Sequence, residues 1–290
     1  MRSLLLIIIS MLLALACARP TTPELRVARA SIALGPPVSG TPARVVSLAP
    51  SLTELLLAID PALSERIVGV TRFDDAAAVA QVPRVGGYTD PSVEAVLSLA
   101  PDLVLAEAGP GSKAAIEHMG QQGVPVRALF LGTRAEILAA IEIVGQLVGR
   151  AEQGQALQRE LAHRLAAFER PFQESPRPRP RALIVYGWEP LVVAGPGSFA
   201  DELLLTAGGR NALDNTPSNY ATLTAETLLA LAPELIVDAA HDRPPIRARL
   251  LAMSAAKGTR HVQASRALLR PGVRLVDAIE DLHRALKAEP

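Results

Sequence analysis

A short motif occurs twice in this chain, offset by 132 positions. Residues 92–105, SVEAVLSLAPDLVL, are echoed by residues 224–237, TAETLLALAPELIV. Each copy reads as a short amphipathic helix, a proline stop and a buried apolar strand. Ser92 and Thr224 are N-cap residues by type, which puts Glu94 and Glu226 in the first helical turn. A chain with such a repeat folds as two similarly built lobes, each with a carboxylate in the same place. That arrangement suits a two-fold symmetric partner. A first-turn glutamate also complements the helix dipole by about 0.3–1 kcal/mol with no partner at all. The matched pair, not either residue alone, therefore carries the functional reading.

Around the repeat, strand-like and helix-like segments alternate. Strands are expected at 44–48, 66–70, 102–106 and 124–131, with helices near 50–59, 92–99 and 112–121. Glu54, three residues after Ser51, would complete a capping box. Residues 134–149 and 151–172 read as two helices. The second is roughly 30 Å long at about 1.5 Å per residue, enough to cross between lobes. Pro176-Arg177-Pro178-Arg179-Pro180 forces an extended link. Alternation then resumes with strands at 181–186, 234–238 and 260–263 and helices near 198–207 and 224–231. A last helix is expected from Pro271, as its first residue, to Lys287. The expected fold class is α/β: two lobes with mainly parallel sheets, joined by a single long helix. The N-terminal lobe would take 43–150, the connecting helix 151–173 and the C-terminal lobe 174–290.

The first residues have another purpose. Arg2 and an apolar run from Leu4 to Ala16 form a stretch too short to span a bilayer, with the character of a signal-peptide core. Cys17 follows at once and is the only cysteine. A lone cysteine there looks like the lipid-modified residue of a bacterial lipoprotein, although Ala14 stands where such proteins prefer Leu; a soluble exported protein is the alternative, and in either case residues 1–16 read as a signal peptide. Residues 17–42, rich in Pro, Thr, Ala and Gly, read as a flexible tether. One cysteine allows no intrachain disulfide, so the core must hold the exported fold together. Acidic and basic residues balance at 29 each, which gives no electrostatic argument for nucleic acid.

Catalytic and metal motifs are missing. There is no Gly-x-Ser-x-Gly elbow. The string AGPGS at 108–112 and 194–198 lacks the Walker A and dinucleotide patterns and reads as turns before helices. The five histidines, His118, His163, His241, His261 and His283, show no metal-ligand spacing. Aromatics make up only 3% of the chain, so their positions carry information. Phe73, Tyr88, Tyr186, Trp188 and Tyr220 all fall in expected loops or strand ends, in both halves. Such a set fits a cleft that grips a large flat ligand. Tyr88 precedes Glu94 by six residues and Tyr220 precedes Glu226 by six, so the repeat includes an aromatic in each lobe.

These residues bring a family into view. Residues 44–54 (RVVSLAPSLTE), 68–74 (VGVTRFD) and 85–91 (VGGYTDP) carry the resemblance in the first half. In the second half it is carried by 188–191 (WEPL), 195–199 (GPGSF) and 207–211 (AGGRN). The chain resembles the helical-backbone periplasmic substrate-binding proteins that serve ABC importers of cobalamin, haem and iron-siderophores. The resemblance implies two α/β lobes joined by one long helix, with ligand between them. It also implies that Glu94 and Glu226 dock onto arginines of the permease. In the cobalamin binders, aromatics corresponding to Phe73, Tyr88 and Tyr220 pack on the corrin. Haem binders often use a tyrosine near position 88 as axial ligand, and residues 106–110 also look like theirs. Here the family's aromatic-Asp-Tyr-Pro loop reads Phe73-Asp74-Asp75-Ala76-Ala77, and tyrosines replace tryptophans at the other two positions.

The expected function is capture of a metal chelate, a corrinoid by preference, outside the cytoplasmic membrane and its delivery to an ABC permease. Haem or a ferric siderophore is the alternative within the class. An enzyme such as a metal-dependent hydrolase, or a chelate-storing lipoprotein, is the alternative from other classes. The chain is expected to be a monomer without catalytic activity or a cofactor of its own, lipid-anchored through Cys17.

Overall fold

The computed structural model describes residues 30–109, 111–173, 179–214, 218–240 and 243–288. Cys17 and the segment before it lie outside the described residues, as do His241 and residues 176–178 of the proline-rich link. The N-terminal lobe contains strands β1 (Ser31–Leu34), β2 (Val45–Ser47), β3 (Ile67–Gly69), β4 (Leu103–Glu107) and β5 (Val126–Leu129). Its helices are α1 (Pro50–Ile59), α2 (Val93–Ser98), α3 (Lys113–Gln121) and α4 (Arg134–Leu147). Helix α5 (Ala151–Gln173) leads to the C-terminal lobe. There follow β6 (Arg181–Trp188), β7 (Leu191–Ala194), α6 (Phe199–Thr206), β8 (Arg210–Asn211), β9 (Tyr220–Leu223) and α7 (Ala225–Leu231). The chain ends with β10 (Leu235–Asp238), α8 (Pro245–Ala255), β11 (Arg260–Gln263) and α9 (Leu275–Lys287).

The N-lobe sheet has the order β1-β5-β4-β2-β3, and only β1 runs antiparallel to its neighbour. The C-lobe sheet runs β11-β10-β6-β7-β9, with β8 beside β6. Its β6, β8, β10 and β11 pairings are parallel, and β7 and β9 add antiparallel strands. The strands alternate between two cores, as the strand period of two requires. Leu103 and Leu105 face one way, toward α1 and α4, while Val104 and Ala106 face α2 and α3. In the C lobe, Ala182, Ile184, Leu235 and Val237 face α6 and α9, while Leu183, Val185 and Ile236 face α7 and α8. The inner faces of both sheets belong to one continuous apolar cluster, joined through Leu161 and Leu165 of α5.

Helix α5 has 23 residues, so it spans roughly 35 Å. It folds back on α4 where Gly145 and Gly154 meet: a Cβ on Gly145 would lie 3.0 Å from the Gly154 Cα. Arg150 ties the start of α5 to Asp60 at the end of α1, at 2.6 Å.

Several local expectations are corrected. Residues 31–34, assigned to the tether, form β1 along β5. The Ser51–Glu54 capping box is not made, because the turn before α1 is held from inside. Thr53 Oγ1 donates to the buried Ser47 Oγ at 2.8 Å, which leaves Glu54 to pair elsewhere. Pro271 does not open the last helix; α9 begins at Leu275. Gly272 instead lies beside Ser51 of α1, where a Cβ would make ordinary van der Waals contact at 3.4 Å.

Candidate functional site

The sequence repeat is a structural repeat. Ser92 Oγ accepts from the Ala95 amide, and Thr224 Oγ1 from the Thr227 amide, each at 3.2 Å. After each short helix an alanine adopts a left-handed backbone, Ala100 at φ 43° and Ala232 at φ 41°. The acidic residue following the proline then closes onto the neighbouring strand. Asp102 Oδ2 accepts from the Ala43 and Arg44 amides, and Glu234 Oε1 from the Arg181 amide. Arg44 and Arg181 return the contact by donating to the carbonyls of Leu99 and Leu231. The same hydrogen bonds therefore orient α2 on β4 and α7 on β10. Both Glu94 and Glu226 are exposed. The backbone amide and Thr224 at the helix start hold the Glu226 carboxyl below its ordinary value.

The aromatics come from different kinds of structure in the two lobes. Phe73 lies in the loop after β3. There Asp74 accepts from the Thr71 amide at 2.9 Å and the Thr71 hydroxyl at 2.6 Å, while the Thr71 hydroxyl accepts from the Phe73 amide at 3.2 Å, a hydroxyl-closed turn that places the phenylalanine. Its ring meets Tyr88 at 5.9 Å between centroids, and the Arg72 guanidinium stands 4.8 Å above it. Arg72 is held in turn by Asp90 at 2.8 Å. The tight turn before Tyr88 needs a glycine at Gly86, where φ is +106° and a Cβ would fall 2.7 Å from the Asp90 carbonyl oxygen. On the C lobe, Tyr186 of β6 packs edge-on against Tyr220, the first residue of β9, at 5.6 Å. Phe73, Tyr88 and Tyr220 are 46%, 49% and 57% exposed, high values for large apolar groups.

The C-lobe pair lies within electrostatic reach of the N lobe. Burial raises the Tyr220 phenol above its ordinary value, and the Glu107 carboxyl and Tyr88 phenol of the other lobe add to that. Burial alone raises Glu107, and burial followed by Tyr220 raises Tyr186. Sequence reasoning did not single out Glu107 as a site residue. Its signal was available: a carboxylate ending an otherwise apolar central strand, at the carboxyl edge where open α/β sheets place ligands.

Trp188 is a correction. It is 2% exposed, packed in the outer core of the C lobe, with Nε1 donating to Asp238 at 3.0 Å. Simple alternation would put it on the same face as Tyr186. A register shift between Val185 and Gly187 turns it to the opposite face. Asp238, fully buried, also accepts from Arg247 Nε at 2.6 Å, so the indole completes a buried polar group instead of a cleft wall. A cavity of about 400 Å³ between β10, β11 and α9 touches none of the five aromatics. Among the described residues, no three His, Cys, Asp or Glu side chains group as metal ligands.

The chain belongs to the periplasmic binding protein family, whose profile matches residues 45–270. It is 27% identical over 197 residues to a vitamin B12-binding protein of Photorhabdus laumondii subsp. laumondii, covering 68% of this chain and 70% of that one. A crystal structure of a periplasmic heme-binding protein from Pseudomonas aeruginosa is similar at TM-score 0.73 and 26% identity, covering 86% and 95% of the two chains. A periplasmic vitamin B12-binding protein of Vibrio cholerae has TM-score 0.72 at 24% identity, covering 85% and 97%, a likeness of fold alone. Membership makes this a substrate-binding protein of an exported class. Among the described residues no helix is long and apolar enough to cross a membrane.

Proposed function

We propose that the protein captures a metal chelate, a corrinoid by preference, between its lobes and hands it to an ABC permease without chemical change. The observation that carries this is the group of exposed rings, Phe73 and Tyr88 from one lobe and Tyr220 from the other. Exposed aromatics at a boundary between lobes are unfavourably hydrated, and a flat ligand that covers them gains free energy of binding. The arginines beside them already serve carboxylates, Arg72 on Asp90 and Arg270 on Asp75. That favours an amide-rimmed ligand over one carrying several carboxylates. Relatives named for vitamin B12 support the same choice.

Haem is the second reading, favoured by the half-exposed phenol of Tyr88 and by the likeness to a heme-binding protein. Titrating the purified protein with cyanocobalamin and with haemin, followed by absorbance and calorimetry, decides between them. Saturable binding of cyanocobalamin supports the corrinoid reading. A Soret band lost in Tyr88→Phe transfers the assignment to haem. Binding of neither removes both.

Glu94 and Glu226 are assigned to permease docking, each to meet an arginine in a two-point contact. Cys17 is assigned to lipid attachment, which would keep the protein at the membrane face. Mass spectrometry of the mature N-terminus checks this, and an unmodified chain starting at or after Cys17 would leave export standing without the anchor.

A further inference from the structure

The segment between β11 and α9 reaches across onto the N lobe. It is anchored at home by Ala267 and Leu268, 1% and 2% exposed, in a short 3-10 helix at Arg266–Leu269. From that base Arg270 extends over three acceptors of the other lobe. Nη1 donates to Glu54 of α1 at 2.7 Å and to Asp75 Oδ1 at 2.8 Å. Nη2 donates to Asp75 Oδ2 at 3.2 Å and to the Phe73 carbonyl at 3.3 Å. Arg266 also pairs with Asp75. Gly272, just past the end of the 3-10 helix, runs alongside Ser51 of α1, so the segment lies beside α1. Arg270 and Glu54 are about four-fifths buried, so solvent screens their pairing far less than it screens a surface ion pair.

These contacts end on the loop that presents a ring to the cleft. Phe73 has its carbonyl held from the opposite lobe by Arg270. Its own lobe holds the ring, through Arg72, which Asp90 fixes in turn. The bidentate Asp75–Arg270 pair sets both the position and the direction of the chain at residues 73–75, because a guanidinium fork accepts a carboxylate in only a narrow range of angles. We propose that Arg270 is a positioning residue for the ligand cleft: it holds the Phe73 wall in its gripping position only while the lobes are together, so lobe separation dismantles the wall and releases the ligand. This rests on the reading of Phe73, Tyr88 and Tyr220 as ligand contacts. It gives a permease that parts the lobes a way to unload the protein without touching the ligand.

The test uses Arg270→Met, Arg270→Lys and Asp75→Asn in the full-length protein, with cyanocobalamin and haemin as probes. Dissociation rates are read by stopped flow, and backbone exchange of residues 71–75 by hydrogen–deuterium mass spectrometry. Arg270→Met should raise the dissociation rate of the bound probe about tenfold and leave the association rate within about a factor of three. Asp75→Asn should act in the same direction. Arg270→Lys keeps the charge and loses the fork, so it should fall between Met and wild type. Amides 71–75 should exchange faster in the Met and Asn variants even with no probe present. Unchanged dissociation and unchanged exchange in both variants would overturn the proposal, as would a Lys variant no better than Met. If the wild type binds neither probe, the ligand reading fails instead, and exchange at 71–75 still decides whether Arg270 positions the loop.

Discussion

The two lobes are built on the same repeat but hold the aromatics we assign to the cleft differently. In the N lobe, Phe73 and Tyr88 sit on loops, and ion pairs hold them: Arg72 with Asp90, and Asp75 with Arg270. In the C lobe, Tyr186 and Tyr220 sit on strands, Tyr220 opposite Ala194 in the β7–β9 ladder and Tyr186 at the register shift of β6. One wall can adjust by breaking polar contacts at modest cost, whereas moving the other requires the sheet to deform. The repeat made the construction around α2 and α7 alike in both lobes. The parts that differ are those that would meet the ligand.

Three substitutions sharpen this contrast. Trp188→Ala should cost about 3–5 kcal/mol of stability, the usual range for emptying a buried aromatic site, and it removes one of the donors to Asp238. Chemical denaturation measures this, and probe affinity corrected for the folded fraction should not change. A large affinity loss in a fully folded sample would return Trp188 to the cleft. Next come Tyr88→Ala and Tyr220→Ala, each expected to weaken probe binding by about 1–3 kcal/mol by calorimetry. The walls should separate in a second reading. Tyr220→Ala also removes the partner of Tyr186 and should lower the melting temperature, whereas Tyr88→Ala should leave it nearly unchanged. Equal effects on melting would erase the distinction between a loop-borne wall and a strand-borne one.

Much of this was legible in the sequence because it depended on local pattern. The 132-residue repeat, its capping residues and the apolar strands after each proline are local features, and all reappear as structure. Gly149, at φ +70°, ends the helix before α5 where the sequence placed a stop. The failures have a common cause. Trp188 was misplaced because a one-residue register shift reverses the face of a strand and leaves no composition signal. Strand β9, YATL, and helix α8, PIRARLLAMSA, went unseen. The first draws its strand character from β7, and the second carries little amphipathic pattern of its own. Arg270, Asp75 and Glu54 lie up to 216 positions apart, and nothing in the sequence links one to another.

The repeated glutamates test the similarity of the lobes, as the aromatics test their difference. Changing Glu94 and Glu226 together to Ala should reduce reconstituted uptake by about tenfold or more while probe affinity stays within about twofold. Each single change should cost a similar, smaller share if the lobes dock symmetrically. If both residues only complement helix dipoles, uptake stays normal and each change costs at most about 0.3–1 kcal/mol of stability. A strongly unequal pair of single variants would show that the repeat is a matter of construction and not of partnership.

The smallest effect belongs to Glu107, and its sign separates it from the other carboxylates near the cleft. Burial raises the Glu107 carboxyl above the ordinary value of 4.5, because the charged form loses solvation at the end of β4. A group with a raised folded value contributes its stability fully below the unfolded value and loses it as pH rises through the folded value. Asp75 behaves oppositely. Its hydrogen bond to Arg270 lowers it from 3.8, so its contribution is present above that value and disappears on acidification. Glu107→Gln keeps the shape and removes the ionisation. The variant should therefore gain melting temperature over the wild type as pH rises above 4.5, and the gain should level off once Glu107 is fully ionised. Asp75→Asn should lose stability relative to the wild type across the neutral range, and that deficit should shrink toward low pH. Melting curves of the three proteins across this range read both slopes. A Gln variant whose advantage does not change with pH would mean that Glu107 is solvated and has no place in the cleft wall. If the advantage follows the predicted slope and saturating probe steepens it, the ligand covers this carboxyl, at the boundary between the adjustable wall and the rigid one.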